Sequence, residues 1–134
     1  MAVVEIEIPP RSPYVGVVRL AISSLARSVG LDEEKIDDLK IAVSEVCTNA
    51  VLAHEESGTD HPITVSWSES DRAIEVDVDQ ATVSAADAPA ADSQGFSTRR
   101  MLSTALLESL MDELDYRDRP GGGTRTHLAV RRSD

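Results

Sequence analysis

One stretch limits what this chain can fold into more than any other. From Ile36 to Ala50, the residues Ile36, Leu39, Val43, Val46, Cys47 and Ala50 recur at steps of three and four, the period of a helix that buries one stripe. Asp32 supplies a start signal and the polar run Glu55 to Asp60 a stop, so the spacing predicts a helix from Asp32 to about His54. A long helix with a single apolar stripe is stable only when it lies on another layer. The rest of the chain offers one. Val3 to Ile8 (VVEIEI), Ile63 to Trp67 and Ala73 to Val78 alternate apolar and polar residues as half-buried strands do. Glu69 to Arg72 joins the last two as a hairpin.

The remaining segments complete the pattern. Ser12-Pro13 opens a first helix running to about Val29, with Val17, Leu20, Ala21, Ser24, Leu25 and Val29 inward and Gly30 as its stop. Asp79 to Gln94 is small and polar and reads as a long, mobile loop. A helix from about Thr98 to Leu114 follows, with Leu102, Ala105, Leu106, Leu110 and Leu114 inward; Asp115–Asp118 and Thr124–Val130 are strands around the turn Pro120 to Gly123. This order predicts an α+β two-layer sandwich, one domain over 1–134, with helices on one face of a mixed, mostly antiparallel sheet.

Composition narrows the function. Aromatics are 3% of the chain against 41% hydrophobic residues, so the core is aliphatic and the lone Trp67 packs into it. With 24 acidic residues, 13 basic ones and a net charge of −11, the surface repels phosphates, which excludes a direct nucleic-acid reader and favours a basic protein partner. No apolar run approaches the roughly 18 residues of a membrane span, and no signal peptide opens the chain; the expectation is a cytoplasmic protein. Cys47 has no partner for an internal disulfide and fills the core, while His54, His61 and His127 are scattered and form no metal set.

One pair of residues carries chemistry. Glu45 and Asn49 are four apart on the long helix and so share a face. A carboxylate there can orient or deprotonate an attacking oxygen, and a side-chain carbonyl is a hard ligand for magnesium. By spacing alone, the pair is also what any solvated helix face contains.

The surrounding run, IAVSEVCTNAV from Ile41 to Val51, closely resembles the N-box helix of the GHKL ATPase fold, in the branch of bacterial anti-sigma factor serine kinases. The likeness extends to PYVGVVRL at residues 13–20, IDDLK at 36–40, ESLMDEL at 108–114 and Gly123-Thr124. The resemblance implies that Glu45 positions the nucleophile, that Asn49 binds the Mg2+ of ATP, and that Thr48 and Ala53 line the pocket. It implies an adenine-reading aspartate at Asp79 if the register shifts by one, where an ungapped match places Gln80. No glycine follows either residue. Counting back from Leu110 puts Met101-Leu102-Ser103-Thr104 where relatives carry a phosphate-binding glycine motif; Gly95-Phe96-Ser97-Thr98 replaces it only if the helix has gained more than a turn. Gly123 and Thr124 fall at the adenine end.

The same resemblance makes Arg19 the partner contact on the first helix. It implies an alternative sigma factor and a STAS-type anti-sigma factor antagonist as partners, and a homodimer, with Val15 and Val18 as partly exposed aliphatics beside the buried stripe. Two readings stay open: an anti-sigma factor that sequesters the sigma factor, with or without phosphorylating the antagonist with Mg-ATP, and a repurposed binding module of the same fold that has lost ATP binding and regulates another partner.

Overall fold

Alternation decides the sheet. Residues pointing to one side of a strand are two apart, and in the computed structural model, which describes residues 3–81, 93–120 and 122–132 (backbone alone for 93–97), the large apolar residues of the strands, Val3 excepted, meet on one side. The strands are β1 (Val3–Ile8), β2 (Ile63–Glu69), β3 (Ala73–Gln80), β4 (Glu113–Asp118) and β5 (Thr124–Arg131). They form a five-stranded sheet in the order β1-β2-β3-β5-β4. All four ladders are antiparallel, so the sheet is not mixed. The register aligns Val65 with Val78, Trp67 with Val76, and Val76 with Leu128.

Three helices cover that apolar side: α1 (Val15–Ser28, entered through a 3-10 turn at Ser12–Tyr14), α2 (Glu33–Ser57) and α3 (Ser93–Leu110). Asp32 caps α2, accepting from Lys35 N at 2.9 Å, and Gly58 ends it in the left-handed region at φ 72°. All six apolar residues read as the long helix's stripe, Ile36 through Ala50, are buried. They share one core with Trp67, Val76, Val78 and Leu128 from the sheet. The two-layer α+β architecture is as expected.

The flanking helices differ from the expectation in rotation. On α1 the buried residues are Val15, Val18, Ile22, Ser23 and Ala26, whereas Val17 and Leu20 stand in solvent at 52% and 72% exposure. The apolar arc of α1 is wide enough to hold two overlapping stripes, and packing against α2 selects one of them. Val15 and Val18, expected as half-exposed, are at the centre of the buried stripe. On α3, Ser103 and Leu107 are buried, while Leu102 and Leu106 are exposed. The third helix also ends at Leu110, so Leu114 belongs to β4. Residues 82–92, most of the segment read as a mobile loop, lie outside the described residues.

Candidate functional site

The long helix α2 carries Glu45 and Asn49 on the side turned toward α3, and the two touch: Asn49 Nδ2 donates to Glu45 Oε2 at 3.3 Å. A third group joins them from α3. The buried Ser103 hydroxyl donates to Glu45 Oε2 and accepts from Asn49 Nδ2 at 2.7 Å. A carboxylate, a carboxamide and a hydroxyl therefore form one closed polar cluster between two helices. Ser103 is a member of this cluster that the residue pattern left unassigned. The signal was present, since counting back from Leu110 already put residues 101–104 at the expected phosphate end.

The donor set is made of hard oxygens only. Among the described residues no three His, Cys, Asp or Glu side chains gather in a way that would hold a metal ion by themselves. A magnesium ion here would thus depend on Asn49 and Glu45 together with ligand oxygens, the ordinary arrangement for magnesium with a phosphate ligand.

Strand parity settles where the other expected residues stand. Val76 and Val78 face the helices, so Gln80 does too, and its register partner Thr124 lies with it. Asp79 faces the opposite side of the sheet. There it is 7% exposed and gripped by Arg125, with Nε to Oδ1 at 2.7 Å and Nη2 to Oδ2 at 2.9 Å; Arg119 adds a second cation at 3.6 Å. This fork raises the arginine's pKa through the Asp79 hydrogen bond and charge. Asp79 is therefore not on the side of Glu45 and Asn49, and the residue of the ungapped match, Gln80, occupies the helix-facing side.

Gly123 is a tight spot. Its φ is +97°, and an added Cβ would lie 2.3 Å from the Gln80 carbonyl oxygen. The start of β5 closes on the end of β3 only because this position has no side chain. Gly95 lies inside the first turn of α3 rather than before the helix, because α3 begins at Ser93 instead of about Thr98. Arg19 is exposed and reaches across to α2, where Nε donates to the Ser44 hydroxyl at 2.8 Å. Thr48 is exposed and Ala53 is buried.

Burial sets the remaining chemistry. The Cys47 thiol is pushed up to about 12 by desolvation, which keeps it a neutral core residue. His54 is buried, and among the described residues neither ring nitrogen has a hydrogen-bond partner; desolvation lowers its pKa below 6.5. No helix among the described residues is long and apolar enough to cross a membrane.

A helical layer on one face of an antiparallel sheet, with a carboxylate–carboxamide pair on the central helix, defines an ATPase-type domain. The profile of the histidine kinase-like ATPase domain matches residues 8–130, and the chain belongs to that family, one of nucleotide-binding domains. It is similar to the serine-protein kinase RsbW of Bacillus pumilus (strain SAFR-032), 51% identical over 57 residues that cover 42% of this chain and 35% of that protein. The RsbW of Bacillus subtilis (strain 168) is 50% identical over 48 residues, 36% of this chain and 30% of that protein. The aligned part thus spans about a third of these relatives' own length. Among solved structures, the RsbU and RsbW domains of Rv1364c from Mycobacterium tuberculosis share the fold, with a TM-score of 0.76 at 20% identity, over 100% of this chain and 33% of that one.

Proposed function

We propose that this chain is an anti-sigma factor that works by partner switching. It sequesters an alternative sigma factor, is released by a STAS-type antagonist, and phosphorylates a serine of that antagonist with Mg-ATP. The observation that carries this reading is the Glu45–Asn49 pair on α2, inside a run that is about half identical to serine-protein kinases. Magnesium with ATP supplies the transferable phosphoryl group. Asn49 holds the metal through its carbonyl oxygen, and Glu45 receives the proton of the attacking serine hydroxyl. Gly123 and Thr124 bound the adenine end, with Gln80 rather than Asp79 beside them. Gly95, in the first turn of α3, stands nearest to the phosphate role. The protein acts in the cytoplasm as a homodimer.

Arg19 is the partner contact. It stands on α1 beside the exposed Val17 and Leu20, an aliphatic patch with a cation at its edge, suited to a protein surface that offers carboxylates. The acidic remainder of the chain favours a partner with basic regions. The alternative reading, a sequestering module that no longer uses ATP, draws on the cluster that already satisfies Glu45 and Asn49.

Two variants separate the activities. Glu45→Ala abolishes phosphotransfer and leaves sigma-factor capture intact. Arg19→Ala weakens capture by about 2 kcal/mol, as loss of an arginine anchor commonly does, and spares nucleotide affinity. Pull-downs and radiolabel transfer on both proteins read the two effects. Wild-type capture by the Arg19 variant refutes the interface; absence of Mg-ATP affinity in the wild type leaves only the sequestering module.

A further inference from the structure

Helix α3 is docked with an unexpected side inward. Ser103 is 5% exposed, while Met101, Leu102 and Leu106 are 72%, 68% and 39% exposed. Helices ordinarily give their aliphatics to the protein and their serines to water. Here a serine has the inner place, and what it meets there is Glu45 and Asn49. The same rotation is held by Leu107 in the core and by Thr104, whose hydroxyl is 2.8 Å from the Tyr116 hydroxyl.

A turn of α3 by one residue position, about 100°, exchanges these faces. Leu102 and Leu106 then point to the protein, as the periodicity of the sequence alone requires, and Ser103 leaves the cluster. The polar cluster and the buried Leu107 hold the described packing, and the exposed Leu102 and Leu106 would gain burial in the turned one.

We propose that Ser103 is an internal latch. Its hydroxyl stands against Glu45 where an acceptor hydroxyl must come, and it holds Nδ2 of the Asn49 carboxamide, whose carbonyl oxygen a metal must use. The closed packing is the resting state, and α3 turns to open the pair. This rests on the nucleotide reading above. It adds that the site is self-occupied, by a side chain that stands where the acceptor must come and fixes the carboxamide that a metal must turn to use. A ligand that binds only the open form has its affinity reduced by the fraction of open molecules. A resting population about nine-tenths closed therefore weakens binding about tenfold.

Calorimetric titration of the full chain with Mg-ADP tests this on three proteins. Ser103→Ala removes the latch and is expected to bind about 3- to 10-fold tighter than wild type. Leu102→Glu puts a charge on the face that turns inward. It is expected to bind several-fold weaker while unfolding like wild type, because Leu102 is in solvent in the resting fold. Equal or weaker binding by Ser103→Ala, with wild-type binding intact, overturns the latch, since a merely supporting hydroxyl gives that result. Wild-type affinity in Leu102→Glu overturns the turned packing. Absence of binding in all three proteins overturns the nucleotide reading, and the latch with it.

Discussion

Replacing Gly123 by alanine tests the tightest contact between the two strands that end at the candidate site. The new Cβ would lie 2.3 Å from the Gln80 carbonyl oxygen, inside the 3.0 Å that real Cβ contacts respect. The atom struck is backbone in a paired strand, so no side chain can swing aside. The residue also keeps a φ of +97°, which costs a non-glycine residue about 1–2 kcal/mol. Relieving the clash parts β3 from β5 at the Gln80–Thr124 pair and removes about one ladder hydrogen bond, worth about 1 kcal/mol. The expected loss is about 2–4 kcal/mol, or about 6–15 °C in Tm for a domain of this size. Urea unfolding followed by the fluorescence of the buried Trp67 measures it directly. Gly16→Ala is the control, because nothing lies within 4 Å of its added Cβ and an alanine in a helix stabilises by about 0.5–1 kcal/mol. A Gly123→Ala loss below about 0.5 kcal/mol would refute the steric argument.

Two further variants probe burial and charge. His54 has a folded pKa below its ordinary 6.5 through desolvation, so the unfolded chain binds its proton more readily. The stability this neutral histidine leaves intact is present above pH 6.5 and lost as pH falls through the lowered value, at up to about 1.4 kcal/mol per pH unit. Urea midpoints at pH 7.5, 6.5 and 5.5 should fall more steeply for wild type than for His54→Leu; parallel slopes would show that His54 is not the group responsible. Asp79→Asn removes the charge in the Arg125 fork and should cost about 1–2 kcal/mol of stability while leaving Mg-ADP affinity unchanged. A large loss of affinity with unchanged stability would return Asp79 to the adenine end.

The strands were readable because a half-buried sheet writes its geometry at period two, and VVEIEI, ITVSW and AIEVDV keep that period without a break. The α2 helix was readable for the same reason at its own period, down to the Asp32 cap. The rotations of α1 and α3 were not. α1 has aliphatics at Val15, Val17, Val18, Leu20, Ala21 and Ile22, and no periodicity can rank two stripes of similar strength; the neighbour that packs against it does. On α3 a polar contact at Ser103 outweighs the aliphatic stripe, and that contact joins residues 58 apart in sequence. Glu45 and Asn49 were singled out from spacing and resemblance together, and the structure brings them into contact. Asp79 was chosen by residue type, an acid where an acid was expected, and strand parity turns it to the other face of the sheet.

The bond from Arg19 to Ser44 bears on how separable the two proposed activities are. Ser44 and Glu45 are consecutive residues of α2, pointing to sides of the helix about 100° apart. A partner that draws Arg19 to itself frees the Ser44 hydroxyl, a change that Arg19→Ala reproduces and that by itself is expected to leave nucleotide affinity unchanged. One peptide unit then separates the event at the protein surface from the carboxylate in the pocket. Whatever factor a bound partner imposes on nucleotide affinity, bound nucleotide must impose on partner affinity, because both routes around the cycle end at the same complex. Four dissociation constants, each ligand measured with and without the other, expose that factor without any variant at all.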